Sequence, residues 1–340
     1  MQKSSFKEIT LMNAFLCLCV VSIHLTSTPL TELRMDSFWY AVIFGINKLL
    51  HFSVPAFIFL SGFKLYSKYG GSRIDLKSFF KGRFFKIVVP YLVCVFIYFI
   101  YFLNKGWVSI ENLPKYIFLG TLAAHFYYIV IAVQLYLIFP LLKRVFEKYP
   151  RLMLTATLGV TVCCLEVFHF KYQDRFFGLY IFYFALGMAF SKYRLWEKME
   201  RLYVPCVFGF ILTAVVHISF SYLEVTGKTL YRAANIINIV YVIFAIGAIY
   251  AFCMKIAKSC NFTYRCAKAL GDVSYSIYLY HILAIFILKY DILPKYALSV
   301  KWRFVISSVV LYSLIFLYAF LREKVKKSEI FALHKRVSKT

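Results

Sequence analysis

The sequence predicts an all-α, polytopic integral membrane protein of about ten transmembrane helices with both termini in the cytoplasm. Three observations carry this. Hydrophobic residues make up 62% of the 340 positions and the mean hydropathy is +0.72, more apolar surface than a soluble fold can hide. Apolar runs recur about every 30 residues at the ~20-residue length needed to cross hydrocarbon. The basic residues fall between these runs and alternate in density from loop to loop.

The ten expected spans are 9–28, 39–63, 84–104, 116–142, 152–168, 176–191, 203–222, 234–254, 270–289 and 302–321. The fourth is long and the sixth short. No polar stretch is large enough for a soluble core, since the longest are Lys64 to Arg83 and the tail after Leu321. A single membrane domain over 1–340 follows. The first apolar run ends in Thr26, Ser27, Thr28 and Pro29 without a small-x-small cleavage pattern, so it reads as a span and not a cleaved leader.

The formal charge of +25 suggests nucleic acid only if its distribution is ignored. Of the 40 Lys and Arg, 28 fall in one alternate set of segments, from Lys3 and Lys7 through the clusters around Lys77, Lys143, Lys198 and Lys258 to the tail ending near Lys339. The opposite loops are poorer and carry Glu32, Asp36, Glu111, Asp174, Glu224 and Asp291. The positive-inside bias then places both termini inside and makes the span number even, with no nucleic-acid partner.

The nine cysteines lack metal or redox spacing. Cys17, Cys19, Cys94, Cys163, Cys164, Cys206 and Cys253 fall in apolar spans as small hydrophobes, and Cys260 and Cys266 fall in a cytoplasmic loop. No phosphate-binding loop, dinucleotide fingerprint or zinc pattern is present in the sequence. Neither a metal nor a bound cofactor is expected.

Ionisable groups at membrane depth are costly and tend to face a cavity or a partner. Four histidines lie in the spans: His24, His51, His125 and His281. Counting from the span ends, His24 lies about 22 Å from the cytoplasmic start of span 1, in the outer half, and His51 and His281 lie near mid-depth. His125 lies toward the outer end of span 4. A neutral imidazole can take a proton from an attacking alcohol, which makes His24 a candidate general base; the alternative is polar glue between helices. His51, His125, His281, Tyr275 and Tyr278 are candidate pore-lining groups. The four tryptophans, Trp39, Trp107, Trp196 and Trp302, mark membrane edges. Glycines including Gly159 and Gly187 are read as sites of close helix approach.

Five segments in order resemble the membrane acyltransferase 3 family of polytopic O-acyltransferases. LMNAFLCLCVVSIH in span 1 is similar to the family's opening segment, whose histidine His24 matches. Asn13 stands where the family has a basic residue. FSVPAFIFLSGF resembles the run ending in Ser-Gly-aromatic, here Ser61, Gly62 and Phe63. FFKGRFFKIVVPY resembles Arg-x-x-Arg before Pro-Tyr, with Arg83 the first arginine and Lys86 in place of the second. HFYYIVIAVQLYLIFPLL and GDVSYSIYLYH resemble two later segments.

The resemblance implies transfer of an acyl group, acetyl or succinyl first, from cytoplasmic acyl-coenzyme A to a hydroxyl of a cell-surface polysaccharide or lipid-linked glycan. It implies His24 as the catalytic residue and Arg83, Lys86, Ser61, Gly62 and Asn13 as substrate-binding residues, in the plasma membrane of a bacterium. Arg83 and Lys86, three residues apart, would lie near one side of a helix and suit phosphate groups; the charge pattern alone equally suits topology or lipid headgroups. Asn13, Ser22 and Ser61 are candidate oxyanion donors. A glycan exporter or flippase and a non-catalytic envelope scaffold stay open as alternatives. A homo-oligomer is compatible with the chain, though no zipper or paired-glycine motif marks one.

Overall fold

The computed structural model describes residues 7–227, 233–259 and 261–337. Lys3, Cys260 and Lys339 lie outside them. The chain is 85% helical, with no strand among the described residues. Its helices are α1 (Lys7–Leu30), α2 (Phe38–Leu49), α3 (Ser53–Tyr69), α4 (Leu76–Arg83), α5 (Val89–Asn104) and α6 (Leu113–Phe118). They continue as α7 (Tyr127–Lys148), α8 (Pro150–Glu166), α9 (Ile181–Lys192), α10 (Tyr203–Val225), α11 (Ala233–Ser259), α12 (Asn261–Ile287) and α13 (Val300–Val337).

Eight helical stretches among the described residues are long and apolar enough to cross a membrane: 7–30, 38–69, 76–104, 124–148, 203–225, 235–258, 262–295 and 300–326. The fifth and sixth expected spans correspond to α8, with 17 residues, and α9, with 12. The expected fourth span starts too early. Gly120 has φ +60° and breaks the helix after the short α6, so the long helical stretch begins at Ala124. The ninth starts earlier than expected, because α12 runs from Asn261 and takes Cys266 out of a loop and into a helix.

The chain divides into two compact units, Met1–His51 with Phe252–Thr340, and Phe52–Ala251. In the first unit α1 packs against α2, α12 and α13. Asn13 pairs with Ser274, His24 with His281 and Glu32 with Lys289, so α1 and α12 run parallel. Ser22 pairs with Tyr312 and Glu32 with Arg303, so α13 runs antiparallel to both. Such interhelical polar contacts contribute on the order of 0.6–2 kcal/mol each in a bilayer. Exposed Val305, Val309, Phe316 and Leu317 on α13 form an apolar face suited to lipid.

In the second unit α3 and α9 pack closely because both present glycine. A Cβ on Gly62 would stand 2.1 Å from the Phe184 carbonyl oxygen, and one on Gly187 would stand 2.0 Å from that of Phe59. Around this contact Phe59, Phe63, Phe139, Phe146 and Phe184 are wholly buried. Lys143, which sequence reads as a topology signal, is a buried clamp: its Nζ donates to the Ser72 carbonyl at 2.8 Å and to Glu147 at 3.0 Å. Glu147 in turn accepts from the Gly71 N–H at 2.8 Å, tying the turn after α3 to α7.

Candidate active site

Polar chemistry in the first unit gathers where α1 meets α12. On the longer α12, which starts at Asn261, His281 lies level with His24 of α1, with ring centroids 5.2 Å apart. His281 is buried, and its Nδ1 lies 2.8 Å from the Tyr278 carbonyl oxygen and 3.1 Å from that of Ile277. A carbonyl oxygen can only accept, so Nδ1 carries the hydrogen and Nε2 is the nitrogen that can take a proton. Tyr278 packs its ring 6.0 Å from that of His281, while Tyr275 is half-buried one turn earlier.

His51 does not sit inside a continuous span. It lies in the turn between α2 and α3 and is exposed. Asn47 anchors it. The buried amide donates from Nδ2 to the Ile23 carbonyl at 3.0 Å and to Thr26 Oγ1 at 2.8 Å. That fixes Oδ1 as the atom facing His51 Nε2, at 3.0 Å, so Nε2 donates. Non-helical backbone at membrane depth is tolerated where protein or water satisfies it, and here the Leu50 and His51 N–H groups donate to the Asn47 and Lys48 carbonyls. Sequence reasoning passed over Asn47, although an amide within an apolar run was a visible signal.

Asn13 and Ser22 are engaged elsewhere. Asn13 Nδ2 donates to Ser274 Oγ at 3.4 Å, a helix-to-helix contact. Ser22 Oγ donates to the Leu18 carbonyl at 2.9 Å and meets the Tyr312 hydroxyl at 2.6 Å. Along the seam of α12 and α13 an open apolar groove of about 310 Å³ has His281 in its wall beside Tyr280, Ala284, Leu311, Ile315 and Tyr318.

The second unit assembles the basic motif. Arg83 Cζ lies over two rings, 5.4 Å from the Phe79 ring centre and 5.5 Å from that of Tyr136, within cation–π range of both. The Tyr136 hydroxyl stands 3.4 Å from Ser61 Oγ, which also donates to the Phe57 carbonyl at 3.0 Å. Gly62, next in sequence, belongs to the α3–α9 contact. His125 is also in this unit, buried in the turn before α7, 5.9 Å from the Tyr98 ring and 4.3 Å from the Phe126 ring. It packs there among aromatics.

Between Arg83 and α5 the chain makes a π turn, Phe84–Val88, in which the Val89 N–H reaches back five residues to the Phe84 carbonyl. Pro90 explains it. Its ring would clash with the carbonyl four residues before it, and it has no N–H to give. The wider turn relieves both, and leaves Arg83 half-buried while Lys86 is exposed. Residues 288–292 repeat this ahead of Pro294, with the Leu293 N–H bonded to the Leu288 carbonyl. π turns of this kind frequently occur at functional sites.

No curated protein and no solved structure matches the chain. A family model described as an acyltransferase domain matches residues 6–322, nearly the whole chain. With His24 and His281 paired inside a bundle of membrane-length helices, the chain belongs to this acyltransferase family and is a multi-pass membrane acyltransferase.

Proposed function

We propose that the protein moves an acyl group, acetyl or succinyl, from acyl-coenzyme A to a hydroxyl of a cell-surface or lipid-linked glycan, in a bacterial plasma membrane. The observation that carries the reading is the His24–His281 pair, with the hydrogen of His281 held on Nδ1 and its ring in the wall of an apolar groove.

His24 accepts the proton of the acceptor hydroxyl as its oxygen attacks the thioester carbonyl carbon. The new C–O bond forms and the C–S bond breaks; the proton passes from imidazole to the departing coenzyme A thiolate. General-base help of this sort contributes about 10²–10⁴-fold. His281 keeps a basic nitrogen beside His24 and steadies the imidazolium that forms. Arg83 serves the donor: a guanidinium held over Phe79 and Tyr136 suits bidentate binding of the phosphates of coenzyme A at little entropic cost. Lys86 adds an exposed charge, and Ser61 supports Tyr136.

The test is transfer of radiolabel from acetyl- and succinyl-coenzyme A to glycan in vesicles carrying the wild type, His24→Ala or Arg83→Ala. The reading expects transfer by the wild type, its loss with His24→Ala, and a raised donor KM with Arg83→Ala. Glycan that crosses the membrane unlabelled with every donor would replace this reading with an exporter.

A further inference from the structure

A second pocket of the first unit lies just beyond the histidine pair on the same helices. It is bounded on α1 and the turn after it by Leu25, Thr28 and Glu32, and on α12 and its π turn by Ile285 and Lys289. Leu25 follows His24 directly, and Ile285 is one helical turn beyond His281. The first residues of α13, including Val300 and Arg303, close the third side. The space that water can occupy in it is about 40 Å³, room for a few waters or one small polar group.

Its charges are unequal. One carboxylate, Glu32, serves two cations: Arg303 Nη2 at 3.0 Å and Lys289 Nζ at 3.6 Å. Arg303 Nε is buried and has no hydrogen-bond partner among the described residues. A buried guanidinium N–H left unpaired keeps an unrecovered desolvation cost, which an arriving acceptor group removes. The pocket also holds the N-terminal turn of α13, where the helix dipole disfavours a cation and favours an anion. Lys289 is set there by the π turn before Pro294, and Glu32 by its backbone N–H bond to the Pro29 carbonyl at 3.1 Å.

We propose that this pocket binds an anionic group, phosphate or carboxylate, carried by the acceptor glycan, with Arg303 and Lys289 as its cations and Glu32 holding them in place. This rests on the glycan-acylation reading and narrows the acceptor to an acidic one. The anionic group enters the pocket and an adjacent sugar hydroxyl reaches back along α1 to His24, one to two helical turns away, about 6–12 Å on a straight helix. Arg303 and Lys289 are specificity residues, not parts of the acyl-transfer step.

The test is direct binding of glucuronic acid, glucose 1-phosphate and glucose to the full chain in phosphatidylcholine nanodiscs, read by saturation-transfer NMR. Both acidic sugars are expected to bind at least about tenfold more tightly than glucose. Arg303→Gln should remove that advantage and Arg303→Lys, which keeps the charge but not the Nε–H, should keep part of it; thermal unfolding verifies that both variants are folded. Equal binding of acidic and neutral sugars, or an advantage that survives Arg303→Gln together with Lys289→Gln, overturns the proposal. A third arm uses nanodiscs containing phosphatidylglycerol: if that lipid alone binds, in an Arg303-dependent way, and no sugar does, the pocket holds a bilayer headgroup and the proposal is wrong. Because binding requires no acyl donor, acyl transfer with no acidic-sugar binding sinks only the pocket, whereas binding without any transfer to glycan sinks only the glycan-acylation reading.

Discussion

His281 faces His24 at 5.2 Å between ring centroids, and its Nδ1 is committed to the carbonyls of Ile277 and Tyr278. Two imidazoles this close cannot both be charged in a low-dielectric interior without a large repulsive cost. In the proposed reaction at most one of the two rings then carries a charge at a time, so each is expected to depend on the other.

That dependence is measurable. His24→Ala should lower kcat by about 10²–10⁴-fold with little change in donor KM. His281→Asn, which preserves polarity but supplies no basic nitrogen, should lower kcat by at least about tenfold, and the double variant should be little worse than His24→Ala because the residues act as a unit. Steady-state acyl transfer checks all three. Multiplicative losses in the double variant would mean that the histidines act separately.

On the proposed reading the donor side rests on ring contact as much as on charge. Arg83→Lys keeps the charge but gives up the planar fork held by Phe79 and Tyr136. Losing one or two charge-assisted hydrogen bonds of about 1.5–3 kcal/mol should raise the KM for acyl-coenzyme A about tenfold or more, with kcat changed much less. A matched assay with the dephosphorylated donor should show a smaller difference between wild type and Arg83→Lys, since the lost contacts are to phosphate.

Much of this was legible in the sequence and some could not be. The helices follow from apolar length, and His24 followed from a titratable group at membrane depth plus the resemblance of its segment. The partner of His24 was hidden, because the meeting of α1 with α12 is a tertiary register with no local pattern. The same holds for Glu32, which reads as a loop charge, and for Lys289 and Arg303 at the ends of the last two expected spans, whose meeting no local pattern announces. The start of α7 was legible in principle: Gly120 and Thr121 interrupt an apolar run that hydropathy alone reads as continuous. For Pro90 and Pro294 the sequence announces a disturbance but not its form, since a kink, a break or a π turn can each absorb the missing N–H.

Those prolines give a test of whether the π turns place chemistry. Pro90→Ala restores a donor and removes the ring clash, so the turn over Phe84–Val88 can relax to α-helical bonding. Relaxation removes the extra residue of the wide turn and rotates Arg83 away from Tyr136 relative to α5. The expected result is a stable protein with a raised donor KM, while acceptor KM and the His24-dependent step stay as in the wild type. Pro294→Ala should do the reverse, altering acceptor KM through Lys289 and sparing the donor. A Pro90→Ala variant with unchanged donor KM would show that the π turn merely accommodates the ring.

Three glycines in the second unit should respond to the same substitution with opposite signs. At Gly62 and Gly187 a methyl group would meet a backbone carbonyl oxygen at 2.1 and 2.0 Å, where no rotamer change gives room and α3 must move from α9. Overpacking of this kind costs about 1–3 kcal/mol or more, so Gly62→Ala and Gly187→Ala should each lower the Tm in detergent by several degrees or prevent insertion. Gly159, also expected from sequence to mediate close approach, has no atom within 4 Å of its would-be Cβ. In the interior of α8 the gain in helix propensity then governs, about 0.5–1 kcal/mol in favour of alanine, and Gly159→Ala should leave Tm unchanged or raise it. A Gly159→Ala variant as damaged as Gly187→Ala would mean that α8 packs through Gly159 against a surface outside this chain.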